Sequence, residues 1–250
     1  MERFLVYGCI LGSIGHFIYF GLLAVLIIPG YIIYLVATLF MKEPKYVFQL
    51  GSSYAYELFF LLTPKIVLKR DLKDEVPTNA IFISTHQSIL DFPALSTFIR
   101  KYLFFANVNL GSLPLVAYIC NLAGVSYISG KGIDNMSKIY DDFEQHLRDG
   151  KNIIFFPEGT RHEGKKLKPF KRGAFRLSKK TSRPIVPIVI EGAYKLLPRK
   201  AFCFRTTKRT TIHLKMLDTL YPEDFSSDKE MMAYAQKIMQ HEKDRLCDIS

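Results

Sequence analysis

From Phe4 to Met41 the chain carries no Asp, Glu, Lys or Arg. No other feature narrows the possible folds as much. A helix needs about 20 apolar residues to cross the hydrocarbon of a bilayer. The run therefore holds either one span or two helices bent at Pro29-Gly30. It is too long for the apolar region of a signal peptide and shows no clear small-residue cleavage site. Gly8 and Gly12, with Gly15 beyond, allow a second helix to approach closely. A buried hairpin in a soluble core is the weaker reading, since so long an uncharged terminal run has little else to pack against. Lys42 to Lys45, with Pro44, break the run. Tyr46 to Leu62 then mixes apolar and aromatic residues with Gln49, Ser52, Ser53 and Glu57, as an amphipathic helix at an interface does.

Composition agrees with a membrane surface. Net charge is +11 and hydrophobic content is 49%. A basic and greasy chain points to anionic lipid rather than to nucleic acid, and no nucleic-acid recognition motif accompanies the charge. Cys9, Cys120, Cys203 and Cys247 are isolated, so neither a zinc site nor a disulfide framework is expected, which fits a reducing, cytoplasm-facing location. With 250 residues there is room for one ordinary domain and an appendage. The expected division is residues 1–62 as membrane-binding helices and 63–250 as the catalytic domain.

Beyond residue 62, short apolar runs alternate with helical patterns. Strands are expected at 65–69, 80–83, 102–105, 125–128, 152–156, 184–190 and 210–217. Helices are expected at 93–100, 110–122, 133–148 and 228–246. The alternation predicts an α/β fold with a largely parallel sheet flanked by helices, and the uncharged run adds an N-terminal membrane-embedded helical segment.

Two of these strands run into polar turns. The first turn is Ser84-Thr85-His86-Gln87-Ser88-Ile89-Leu90-Asp91, followed by a helix whose first turn holds Pro93. Residues five apart on one helix lie about 140° apart and do not meet. If His86 ends the strand and Asp91 enters the helix, the turn folds the carboxylate back onto the imidazole, giving a base whose tautomer is fixed. Alternatively Asp91 is a helix cap and His86 a surface residue. The second turn is Phe156-Pro157-Glu158-Gly159-Thr160-Arg161. Pro157 ends the strand ladder and Gly159 permits an unusual backbone angle. Arg161 offers a planar fork suited to phosphate; the plainer reading is a surface ion pair with Glu158.

His86-x4-Asp91, with that hexapeptide about 70 residues downstream, resembles the glycerolipid acyltransferase family, and within it the 1-acyl-glycerol-3-phosphate acyltransferases. The resemblance covers roughly residues 63–220. It implies a pair of membrane-embedded N-terminal helices. It implies His86 as general base, Asp91 as its partner, and Glu158, Gly159, Thr160 and Arg161 as acceptor-binding residues. Pro184 to Ile190 matches the family's proline-centred apolar strand. Two departures stand out. Thr85 replaces the usual Asn before the His. Ser129 and Gly130 replace the Asp and Arg of a further motif, leaving Lys131 as the nearest cation for the acceptor phosphate. Lys101 precedes a strand where family members often carry a Lys near the active site.

The expected reaction moves a fatty acyl group from a thioester, on acyl-carrier protein or acyl-CoA, to the sn-2 hydroxyl of lysophosphatidic acid, giving phosphatidic acid. One base suffices, because a thioester is already a good electrophile; neither metal nor cofactor is called for. Oxyanion donors are sought among backbone amides near Gly159 or at Lys101. From Lys165 to Arg183 nine cations occur with no acid, as a phosphate-collecting surface requires, and Phe170 and Phe175 interleave as if to enter headgroups. Three alternatives remain: another lysolipid or glycerol-3-phosphate as acceptor; a serine acyl-enzyme through Ser84 or Ser88, against which stands the lack of a Gly-x-Ser-x-Gly elbow; and a non-catalytic adaptor that binds anionic lipid.

Overall fold

The computed structural model describes residues 21, 25, 28–106, 124–127, 136–162, 166–199, 201, 204 and 208–249. Most of the uncharged run, the expected helix 110–122, and Gly130 and Lys131 lie outside these residues.

Seven strands form one sheet: β1 (Ile66–Asp71), β2 (Ile81–Ser84), β3 (Tyr102–Ala106), β4 (Val125–Tyr127), β5 (Asn152–Phe155), β6 (Ile185–Glu191) and β7 (Thr210–Met216). Their spatial order is β1-β7-β6-β2-β5-β3-β4. Strands β6, β2, β5, β3 and β4 are mutually parallel. Strand β7 runs antiparallel to β6 and carries β1 parallel to itself. The sheet is thus mostly parallel, with a reversed pair at one edge.

The central strands read as continuous apolar runs because both faces are covered. In β2, Phe82 packs into one core with Phe59, Leu95 and Tyr102, whereas Ile81 and Ile83 pack into the other with Phe143, Phe175 and Met239. The first core lies under α2 (Lys45–Leu62) and α3 (Asp91–Ser96); the second lies under α4 (Met136–Arg148), α5 (Gly173–Thr181) and α7 (Asp228–Ile249), with the short α6 (Ala193–Leu196) following β6. Pro187 sits in β6 at the end of its ladder with β7, where its missing N–H costs at most one terminal bond. The β7 ladder begins at Ile188, and Pro187 contributes its carbonyl to Leu217 N–H at 2.9 Å.

Helix α5 was not expected. Phe170 and Phe175 are core residues, stacked on each other, rather than headgroup contacts. Their spacing reflects the buried face of that helix and the segment leading into it. Part of the basic stretch is committed within the fold. Arg172 forks onto Asp228, Lys179 donates to the carbonyls of Pro222 and Phe225 at 2.8 and 2.6 Å, and Lys180 pairs with Glu144. Of its described cations, Lys166, Lys171 and Arg176 remain exposed without an ion pair to the described residues.

Helix α1 (28–37) crosses α2 where two glycines meet. A Cβ on Gly51 would lie 3.0 Å from the Gly30 Cα, so the backbones touch. Tyr31, Tyr34 and Phe48 lock the crossing with ring contacts. One side of α2 packs inward: Gln49 donates to Tyr102 O at 2.9 Å and Ser53 to Ser96 O at 2.6 Å. The opposite side exposes Leu50, Tyr54, Leu58 and Leu61. With Ile32, Val36, Leu39 and Phe40 these make a wide uncovered apolar surface; Phe40 is 81% exposed. Among the described residues no helix is long and apolar enough to cross a membrane.

Candidate active site

Strands β2 and β5 are hydrogen-bonded neighbours and parallel, so both polar turns leave the same edge of the sheet. Carboxyl ends of strands in such sheets are where ligands collect. The two turns are also tied to each other: His162 N–H donates to His86 O at 3.0 Å, and His86 N–H donates to Glu158 Oε1 at 3.2 Å.

Asp91 opens α3 and is fully buried. Its Oδ2 accepts from the backbone N–H of Gln87 at 2.6 Å and of Ser88 at 2.8 Å, and lies 2.9 Å from His86 Nδ1. An oxygen collecting donors in this way is an acceptor, so Nδ1 carries the proton and Nε2 the free lone pair. The imidazole lies flat on Phe156, ring centroids 3.8 Å apart and planes 3° from parallel. Its side chain is 18% exposed, and Nε2 makes no hydrogen bond among the described residues. The arrangement fixes the ring while leaving its other edge partly open to solvent, and Asp91 does more than cap a helix.

Glu158 is buried and acts as the hub of the second turn. Besides His86 N–H it accepts Lys168 N–H at 2.9 Å and bonds the His162 ring. It forms no ion pair with Arg161 and so does not orient it. Gly159 has φ +68, and a Cβ there would lie 2.6 Å from the Lys171 ammonium, which therefore rests over the turn. Thr160 and Arg161 are half-buried, and Arg161 makes no hydrogen bond or ion pair with the described residues.

Other expected participants fall elsewhere. Lys101 is exposed and accepts Asn152 N–H through its carbonyl, while Asn152 Oδ1 accepts Ala80 N–H. It is therefore level with the start of β2, about 20 Å from His86 at roughly 3.3 Å per residue. Lys101 is not brought to this site, because it begins its strand where His86 ends its own. Gly159 N–H is taken by Phe156 O at 3.0 Å, so it is not a free oxyanion donor. Ser84 and Ser88 are buried and donate to the carbonyls of Thr85 and Leu197, which leaves neither as an exposed nucleophile. Thr85, standing for the family's Asn, bridges to β6 by exchanging hydrogen bonds with Ile190 N–H and O at 2.8 and 2.9 Å. His162 and Phe156 went unassigned in the sequence. His162 adjoins the recognised hexapeptide, and Phe156 lies within it.

A family model described as acyltransferase matches residues 68–191, from β1 through both turns to the last residue of β6. The chain belongs to the acyltransferase family. A chloroplastic 1-acyl-sn-glycerol-3-phosphate acyltransferase of Brassica napus is 32% identical over 123 residues, covering 48% of this chain and 35% of that protein. The chain thus spans about a third of that relative's length. A Caenorhabditis elegans protein provisionally named a 1-acyl-sn-glycerol-3-phosphate acyltransferase is 29% identical over 243 residues, covering 92% of this chain and 86% of that one. Among solved structures, the 1-acyl-sn-glycerophosphate (LPA) acyltransferase PlsC of Thermotoga maritima superposes with a TM-score of 0.77 at 22% identity, covering 95% of this acyltransferase and 96% of PlsC. That likeness bears on the fold: a mostly parallel sheet flanked by helices.

Proposed function

We propose that this acyltransferase moves a fatty acyl group from an acyl thioester to the sn-2 hydroxyl of 1-acyl-glycerol-3-phosphate, giving phosphatidic acid. The observation that carries the proposal is the His86 imidazole: Nδ1 is held by buried Asp91, the ring is backed by Phe156, and Nε2 opens beside the Arg161 turn. In this reading His86 Nε2 takes the hydroxyl proton as the oxygen attacks the thioester carbonyl. The carbon–sulfur bond then breaks, and the imidazolium returns the proton to the leaving thiolate. The names of the relatives support lysophosphatidic acid as acceptor. Acyl-carrier protein and acyl-CoA both fit the donor role, since both are acidic and the chain is basic. Purified protein given an acyl thioester and a panel of lysolipids, with thiol release as the readout, tests the proposal directly. Release with no lysolipid, including lysophosphatidic acid, overturns it and leaves the lipid-binding adaptor.

In the same reading Arg161 anchors the acceptor phosphate, with Lys131 in place of the family's missing Arg. Arg161→Ala is expected to raise KM for lysophosphatidic acid. A charge-assisted hydrogen bond contributes about 1.5–3 kcal/mol, which corresponds to roughly ten- to hundredfold. A phosphate-free lysolipid should be far less affected, and Lys131→Ala should share the defect. Equal losses on both acceptors would make Arg161 structural.

We also propose that the exposed apolar surface of α1 and α2, continued by the uncharged residues before it, embeds the protein in an anionic membrane with the catalytic domain facing the cytoplasm. A patch this wide is uncommon on a soluble monomer. Removing residues 1–41 deletes α1 but leaves α2 docked on Tyr102 and Ser96. The truncated protein is expected to stay folded and to lose most flotation with anionic liposomes at high salt. Full flotation would take the membrane contact away from residues 1–41 and leave it to α2 or another surface.

A further inference from the structure

The buried groups behind the His86 turn are not used by the chemistry above. Helix α7 presents an apolar stripe to the sheet, Met231, Ala235, Met239 and Leu246, and a lysine, Lys243, occupies the same stripe. Lys243 is 1% exposed, and its ammonium pairs with Glu191, the last residue of β6, which is equally buried. The Glu191 oxygen that takes Lys243, Oε2, also accepts Gln87 Nε2–H at 2.7 Å. Gln87 then gives its backbone N–H to Asp91 Oδ2, the oxygen facing His86 Nδ1. A continuous polar path therefore runs from the C-terminal helix to the imidazole.

A buried ion pair is weak evidence of stability. Desolvation offsets much of the attraction, and apolar residues of like size often serve as well. The placement argues instead for alignment. Gln87 shares with Ser88 the peptide N–H groups that fix the Asp91 carboxylate, and Glu191 accepts from the Gln87 side chain. We propose that Gln87, Glu191 and Lys243 are positioning residues, through which α7 holds the His86–Asp91 pair in its reactive geometry. The inference rests on His86 acting as the base in the function proposed above.

The test uses the full chain in detergent micelles. Gln87→Met keeps the backbone N–H and leaves the ion pair intact while removing the link to it. It is expected to lower kcat about tenfold or more with KM within about twofold. The nitrogen-15 spectrum of His86 should show the Nδ1–H tautomer partly replaced by the Nε2–H form. Lys243→Met should lower both melting temperature and kcat, and Lys243→Arg should recover part of the kcat. In the Gln87→Met/Lys243→Met double variant the kcat losses should not multiply, as expected of residues acting in one path. If Gln87→Met keeps kcat within about twofold and leaves the His86 spectrum unchanged, the inference is overturned. It is equally overturned if Lys243→Met costs stability without touching kcat. Should Lys243→Met fail to fold, Gln87→Met decides alone. If wild-type protein fails to acylate lysophosphatidic acid yet Gln87→Met moves the His86 tautomer, the positioning role stands and the acceptor assignment falls.

Discussion

His86→Ala is expected to lower kcat for acyl transfer by about 10²–10⁴-fold, the contribution a positioned base makes, while KM and lipid binding change little. Few native contacts depend on the ring. It is partly exposed, its one side-chain hydrogen bond among the described residues is to Asp91, and it lies on Phe156 without filling the core. The backbone bonds that join the two turns, His86 N–H to Glu158 and His86 O to His162 N–H, survive the substitution. Circular dichroism and liposome flotation should therefore match wild type. The competing base is His162, whose ring is engaged by Glu158. His162→Gln should cost much less. Activity within about tenfold of wild type in His86→Ala, combined with a large loss in His162→Gln, would exchange the two roles.

Asp91→Asn is expected to cost about 10²-fold in kcat, through loss of charge more than through tautomer. Two backbone N–H groups aim at Oδ2, so the amide oxygen of an Asn would take that place and still accept Nδ1–H. What disappears is the negative charge facing the imidazolium that forms as the hydroxyl proton is taken. The amide nitrogen would also occupy the site of Oδ1, which has no hydrogen-bond partner among the described residues. Asp91→Ala should be worse in a second way. It leaves two buried N–H groups without an acceptor, at about 1–3 kcal/mol each, so its melting temperature should fall well below that of Asp91→Asn. If both variants melt like wild type and Asp91→Asn keeps its kcat, the carboxylate is neither an anchor nor a counter-charge.

The geometry of the two turns was legible in the sequence because its determinants are local. His86 and Asp91 share one turn, Pro157 and Gly159 punctuate the other, and apolar runs on either side mark the strands. The fold class was legible for the same reason, although the reversal of β1 and β7 was not: a strand's direction depends on its partner. Residues whose roles depend on distant partners stayed hidden. Phe170 and Phe175 sat in a basic stretch that read as a phosphate-collecting surface, but Arg172, Lys179 and Lys180 find their partners on α7, on the segment before it and on α4. Lys101 followed a family habit to the wrong end of the sheet. Lys243 left one trace, a lysine in register with the apolar stripe of an otherwise polar helix.

The hydrogen-bonded contact between β2 and β5 has a consequence for how the chain tolerates change. The chain between Asp91 and Asn152 leaves the site, builds the β3–β4 flank of the sheet, and returns to lay β5 directly against β2. The His86 turn and the Arg161 turn are thus set by one strand pairing, whatever the length of the excursion between them. Insertions or deletions in that excursion can remodel the flank without resetting the spacing of His86 and Arg161. A one-residue slip between β2 and β5 would displace the two turns from each other by about 3.3 Å, and no adjustment within either turn would restore them.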